Sequence, residues 1–213
     1  MVYAGFRKIF GPLAVKKIRR VEGEWNLPPQ PPFILAANHV GFLDAPALVM
    51  HILGKFGQPM HTPTTPFMWK IWGERIARKC LAMIPLYPGR EGEALIEMEK
   101  IIKQGGIVGI FPEGGRNPHP DSLLRGKTGA VRLALATGAP LIPIGLINTT
   151  GFGLYKLLLI NLWRPSKYID IKFGQPVDLA EFRGQPVTKP LLIAATRKLM
   201  RAIGVLCGKA YNY

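Results

Sequence analysis

A chain of 213 residues that is 48% hydrophobic suffices for one domain with a full core, or for one domain with an appended element. Its 28 Lys and Arg against 13 Asp and Glu leave a formal charge of +15, which calls for an anionic partner: nucleic acid, or an anionic bilayer surface. No uncharged apolar run reaches the roughly 18 residues of a membrane-spanning helix, and two isolated thiols, Cys80 and Cys207, lack metal or redox spacing.

Residues 1–20 carry Arg7, Lys8, Lys16, Lys17, Arg19 and Arg20 and no acid. Val2, Phe6, Ile9, Phe10 and Leu13 share one helical face, so residues 1–14 read as a basic amphipathic membrane-surface segment, kinked at Gly11-Pro12. A core-docking helix with a solvated basic edge is the competing reading. The N-terminus has no uninterrupted apolar h-region with a small-residue cleavage site, so a secretory signal is not expected. Residues 15–213 form the expected domain. Val15, Ile18 and Val21 suggest a strand, closed by Gly23 and a Pro-rich linker at 28–32.

Phe33-Ile34-Leu35-Ala36-Ala37 is a buried strand that stops at Asn38-His39, and Asp44 precedes a helical pattern that ends at Gly54. The strand end meets a helix start, where open α/β sheets place their chemistry. His39 can move a proton near neutral pH, and a turn over Val40–Leu43 can fold Asp44 back onto its ring. On spacing alone, Asp44 as a simple N-cap and His39 as a strand-end filler are equally open.

Met60–Thr62 suggests a short strand, and Pro66 opens a helix to about Cys80 whose apolar stripe (Phe67, Met68, Trp69, Ile71, Trp72) predicts a core element. Leu81–Leu86 reads as a strand leading to Arg90, and an amphipathic helix follows, stopped by Gly105-Gly106. Ile107–Phe111 is another buried strand, broken by Pro112-Glu113-Gly114-Gly115-Arg116. Glycines there allow close backbone approach, and the Arg116 guanidinium suits phosphate. A Glu113–Arg116 ion pair bracing the loop is the alternative. Lys127 stands at the start of a helix that runs to Thr137, where dipole and ammonium can act together on an anion.

Leu141–Ile147 reads as a strand whose Pro143 belongs at an edge or bulge, Gly151–Trp163 as interfacial or buried, Tyr168–Phe173 as a strand, and Pro190–Lys209 as a basic helix. Strands alternating with helices make this a single α/β domain with a mostly parallel central sheet flanked by helices. His51, His61 and His119 show no metal-ligand spacing.

NHVGFLD, MIPLYPGR, FPEGGR and APLIPIGL, in that order across residues 33–147, resemble the four blocks of the glycerolipid acyltransferases, and RGKTGA resembles the basic segment after the third. Gly115 and Asn117 depart from that third block, usually written FPEGTRS, on the acceptor side. The resemblance implies a glycerolphosphate acyltransferase-like fold. It implies acyl transfer from acyl-carrier protein or acyl-CoA to 1-acylglycerol-3-phosphate, giving phosphatidic acid. His39 is then the general base and Asp44 its partner. Arg90, Arg116 and Lys127 hold the phosphate, Glu113 and Gly114 shape the acceptor site beside Asn38, and a backbone N–H near Gly41 or in the Pro112–Gly115 loop binds the oxyanion. No cofactor or metal is called for. The implied partners are an anionic membrane surface, a lysophospholipid acceptor and an acidic acyl-carrier protein or acyl-CoA, at the cytoplasmic face of a membrane. Glycerol-3-phosphate or another lyso-lipid is the other acceptor in view. A basic nucleic-acid-binding domain is the reading from another class, although no nucleic-acid motif is present and the aromatics cluster at 67–72 away from the basic residues.

Overall fold

The computed structural model describes residues 15–79, 81–119, 121–147 and 169–213. The basic segment 1–14, Cys80 and the run Gly151–Trp163 lie outside them. In chain order the elements are β1 (Ile18–Glu22), β2 (Phe33–Ala37), α1 (Asp44–Phe56), β3 (Met60–Thr64), α2 (Pro66–Trp72), α3 (Glu74–Lys79) and β4 (Met83–Pro85). Then follow α4 (Glu91–Lys103), β5 (Ile107–Ile110), α5 (Gly129–Thr137), β6 (Leu141–Ile147), β7 (Ile169–Phe173) and α6 (Lys189–Cys207).

The strands form one sheet in the order β1-β7-β6-β2-β5-β3-β4. Five of them, from β6 to β4, run parallel; β7 is antiparallel to β6 and carries β1 parallel to itself. The central strand β2 is apolar at every position because both its faces are covered. Phe33, Leu35 and Ala37 enter one core with Leu48 and Ile52 of α1, and Ile34 and Ala36 enter the other with residues of α4, α5 and α6. This is the α/β domain with a mostly parallel sheet that the alternation of elements predicted. Among the described residues no helix is long and apolar enough to cross a membrane.

Several local expectations shift. Helix α1 runs through Gly54 to Phe56, whose ring packs edge-on against Phe33 at 5.0 Å, and stops where Gly57 adopts φ 66°. The expected helix from Pro66 divides at Gly73 (φ 72°) into α2 and α3. Strand β4 shortens to Met83–Pro85, because Ala82 takes φ 46° and cannot continue an extended ladder.

Pro143 corrects a rule of thumb: β6 is internal, paired on both sides, and carries neither a free edge nor a bulge at that residue. The Pro143 carbonyl accepts from Gly174 N–H at 2.9 Å, one residue past the end of β7. In an antiparallel pair a residue's N–H and C=O face the same neighbour, so the donor that proline lacks belongs to the final rung, where the β6–β7 ladder ends anyway.

Candidate active site

Because β2 and β5 run parallel and side by side, their C-terminal ends lie at one edge of the sheet. His39 follows β2 there and Glu113 follows β5, which brings together two residues 74 apart in sequence. The His39 main-chain N–H donates to Glu113 Oε1 at 2.9 Å, and the His39 carbonyl accepts from Asn117 N–H at 2.6 Å. The imidazole lies against the Phe111 ring, with centroids 4.4 Å apart and planes at 28°. Main chain and ring are thus clamped separately.

Asp44 is the first residue of α1, yet its side chain does not cap that helix. Its carboxylate turns back, and Oδ2 accepts from Val40 N–H (2.6 Å) and Gly41 N–H (2.7 Å) and lies 2.9 Å from His39 Nδ1. Asp44 is fully buried. A carboxylate in such a pocket of donors is acceptor-only, so Nδ1 carries the proton and donates to it. Nε2 then bears the lone pair, and it has no partner among the described residues. The His39 side chain is 20% exposed, so the ring is not sealed from solvent. The simple N-cap reading of Asp44 is replaced by an Asp–His pair. The other Asp44 oxygen, Oδ1, is buried and has no hydrogen-bond partner among the described residues.

The Asn38 side chain pairs with the main chain of Leu146 on β6: Nδ2 donates to its carbonyl at 3.0 Å and Oδ1 accepts from its N–H at 2.7 Å. It extends the β2–β6 pairing beyond the last residue of β2 and holds the strand end from which His39 projects. Glu113, 5% exposed, receives Asn117 Nδ2 (2.7 Å) and Leu124 N–H (2.8 Å) on Oε2 as well as His39 N–H on Oε1. Its carboxylate is spent on protein donors, and no Glu113–Arg116 ion pair is present.

The cations divide. Arg90, at the start of α4, is exposed, bonds Glu93 at 2.8 Å and lies over the Tyr87 ring at 5.7 Å. Arg116 is exposed and has no ion-pair partner among the described residues. Lys127 is exposed and folds over Gly114: a Cβ at that glycine, which has φ 71°, would lie 2.4 Å from Lys127 Cε. Glu91 is held below the ordinary carboxyl range, first by its own and the Gly89 backbone N–H and then by the charge of Lys127. The Lys127 ammonium is therefore felt at the loop that carries Arg90. Of the expected oxyanion donors, Gly41 N–H is taken by Asp44 and Gly114 N–H by the Phe111 carbonyl at 3.0 Å.

Sequence reasoning missed two residues of this arrangement. Phe111 supplies the stacking face for His39, and its position directly before Pro112-Glu113-Gly114 was the available signal. Asn117 reads in the sequence as an acceptor-side departure, but it is 2% exposed and its side chain is spent on Glu113, the Ser122 carbonyl and His119 N–H. His51 bonds Glu24 at 2.8 Å, and His61 sits in β3, so neither joins the site.

The acyltransferase family profile matches residues 18–147, a span that holds every residue placed above. The 1-acyl-sn-glycerol-3-phosphate acyltransferase of Bacillus subtilis is 30% identical over 192 residues, covering 89% of this chain and 88% of that protein. The enzyme of the same name from Borreliella burgdorferi is 25% identical over 154 residues, and the human alpha form is 28% identical over 140. The chain spans about half the length of these two (54% and 46%). In three dimensions it is similar to the crystal structure of the 1-acyl-sn-glycerophosphate acyltransferase of Thermotoga maritima. That match has a TM-score of 0.62 and 25% identity, and it covers 93% of this chain and 78% of the other. With its fold, its ordered blocks and its matched span in agreement, the chain belongs to the acyltransferase family.

Proposed function

We propose that this protein moves a fatty acyl group from a thioester, acyl-carrier protein or acyl-CoA, to the hydroxyl of 1-acylglycerol-3-phosphate, forming phosphatidic acid. The observation that carries the mechanism is the buried Asp44 carboxylate holding His39 Nδ1 at 2.9 Å while Nε2 stays open. The names of the relatives support the acceptor. Nε2 takes the acceptor's proton as its oxygen attacks the thioester carbon. The tetrahedral intermediate then expels thiolate, which recovers the proton from the imidazolium. Asp44 fixes the tautomer and stabilises the cation. All reacting atoms belong to the two substrates and His39, so the scheme draws on no cofactor.

Asn38 and Glu113 keep the strand ends in register around His39, and Gly114 leaves room for Lys127 to lie over the loop. Arg116 and Lys127 supply charge for the acceptor phosphate, and Arg90 joins them by exchanging Glu93 for it. Since Gly41 and Gly114 have their N–H groups engaged, the oxyanion falls to the remaining N–H groups of the Pro112–Gly115 loop, those of Glu113 and Gly115. A lipid acceptor and an excess of cations fit a peripheral protein on the cytoplasmic, anionic face of a membrane, with residues 1–14 as its surface segment.

The test is acyl transfer from a long-chain acyl-thioester to lysophosphatidic acid in detergent micelles, with wild type beside His39→Ala. General-base loss predicts a fall of at least about 10²-fold. Equal activity of the two proteins removes His39 from the chemistry. Wild-type turnover of glycerol-3-phosphate or another lyso-lipid in place of lysophosphatidic acid replaces the acceptor and keeps the mechanism.

A further inference from the structure

Helices α2 and α3 carry apolar side chains that the domain does not use. Phe67 and Ile71, one turn apart on α2, are 67% and 48% exposed, and Ile76 on α3 is 45% exposed. The sequence pattern predicted a core stripe there. The structure instead anchors α2 by Trp69, which is 8% exposed and donates its Nε1–H to Thr64 Oγ1 at 3.1 Å, and α3 by the buried Ala77. What remains outside is apolar and basic together. Lys70, Arg75 and Lys79 are exposed among these side chains, and Glu74, the acid of this stretch, is bonded to Arg78.

The position adds to the composition. Helix α2 leaves the C-terminal end of β3, which is parallel to β5, and so begins at the sheet edge that carries His39 and Glu113. β1 also starts at that edge, because it and β7 run opposite to β6. We propose that the exposed face of α2 and α3 is a docking surface for an anionic bilayer, with Phe67, Ile71 and Ile76 entering the interface and Lys70, Arg75 and Lys79 meeting lipid phosphates. Charge complementarity selects the occupant. Exposed aromatic and branched apolar groups spaced among Lys70, Arg75 and Lys79, which have no ion-pair partner among the described residues, match a headgroup layer over acyl chains. The surface holds the site edge against the membrane, a purpose that rests on the proposed lipid acceptor; the docking itself does not.

The experiment is co-sedimentation of the full chain with phosphatidylcholine vesicles, with and without phosphatidylglycerol. Three proteins are compared: wild type, Phe67→Ser/Ile71→Ser and Lys70→Glu/Arg75→Glu, each checked for an unchanged melting temperature. Expected is a partition coefficient at least about tenfold lower for either pair on anionic vesicles, with the charge pair also flattening the salt dependence. A local probe removes the contribution of other basic segments. In a Cys80→Ser background, an environment-sensitive dye at Ile71→Cys should shift to the blue with anionic vesicles and be quenched by brominated acyl chains. The same dye at Ile96→Cys, exposed on α4, should not respond. Unaltered partitioning by both pairs together with a water-exposed dye at residue 71 overturns the proposal. So does loss of acyl-carrier-protein binding in these variants while vesicle binding persists, which would make the face a protein-docking surface. Vesicle binding is read without turnover, so an inactive enzyme leaves the result intact.

Discussion

Asp44→Asn separates two functions of one carboxylate. Oδ2 is fixed by the N–H groups of Val40 and Gly41 at 2.6 and 2.7 Å, and both demand an acceptor. In the variant they hold the amide oxygen at that place, and the amide NH2 falls where Oδ1 now sits. His39 Nδ1 therefore keeps an acceptor, and the tautomer with a free Nε2 survives. What is lost is the negative charge, so a charge-assisted bond becomes a neutral one. Hydrogen bonds to charged groups are worth about 1.5–3 kcal/mol and neutral ones about 0.5–1.5, so the exchange costs about 1–1.5 kcal/mol and puts the fall in kcat at roughly 5- to 12-fold. An Asp→Asn change that flips the tautomer of a catalytic His costs about 10⁴. Stability should change little, because the variant exchanges one buried polar atom that has no partner among the described residues for another: a melting temperature within about 2–4 °C of wild type. Asp44→Ala, in contrast, strands two backbone donors and should lose about 2–6 kcal/mol. Steady-state rates on lysophosphatidic acid and thermal melts of both variants check this. A 10⁴-fold loss in Asp44→Asn with a normal melting temperature would show the amide turned over and refute the pinning argument. An unchanged rate would remove Asp44 from the chemistry.

Gly114→Ala places a methyl group 2.4 Å from Lys127 Cε on a backbone of φ 71°, so Lys127 must leave the loop; KM for the phosphate-bearing acceptor should rise several-fold, with a smaller change in kcat, and an unchanged KM would sever Lys127 from phosphate binding. His61 has its pKa lowered from 6.5 by burial, an effect that Glu97 partly opposes. Between the lowered value and 6.5 the unfolded chain binds more protons than the folded one. Stability should therefore be complete above about pH 7 and decline as pH falls through that window. Urea midpoints taken from pH 7 down to pH 5 should fall less for His61→Gln than for wild type, and parallel curves for the two would contradict the assignment.

Local pattern carried much of this molecule. The five apolar residues Phe33–Ala37 demand burial on both faces, which marks β2 as a buried strand, and the sheet places it between β5 and β6 with parallel pairing on both sides. The spacing of His39 and Asp44 allowed the pair that forms, because four intervening residues are enough for a turn and both groups belong to one short segment. The four ordered blocks carried the family. Side-chain employment was not legible. Asn38 and Glu113 read as ligands for substrate, yet their partners are the Leu146 main chain, 108 residues away, and His39 N–H, 74 residues away. Those bonds exist only once β2 lies between β5 and β6 in a particular register, a relation that no window of sequence contains. Exposure was hidden for the same reason. Phe67 and Ile71 have the spacing of a core stripe, but burial depends on what the rest of the chain brings to that face. Here Trp69 is buried, bonded to Thr64 of β3 with Arg78 over its ring, and those two side chains stay exposed. Hydrophobic periodicity states which residues prefer to leave water; the packing of distant segments decides which of them do.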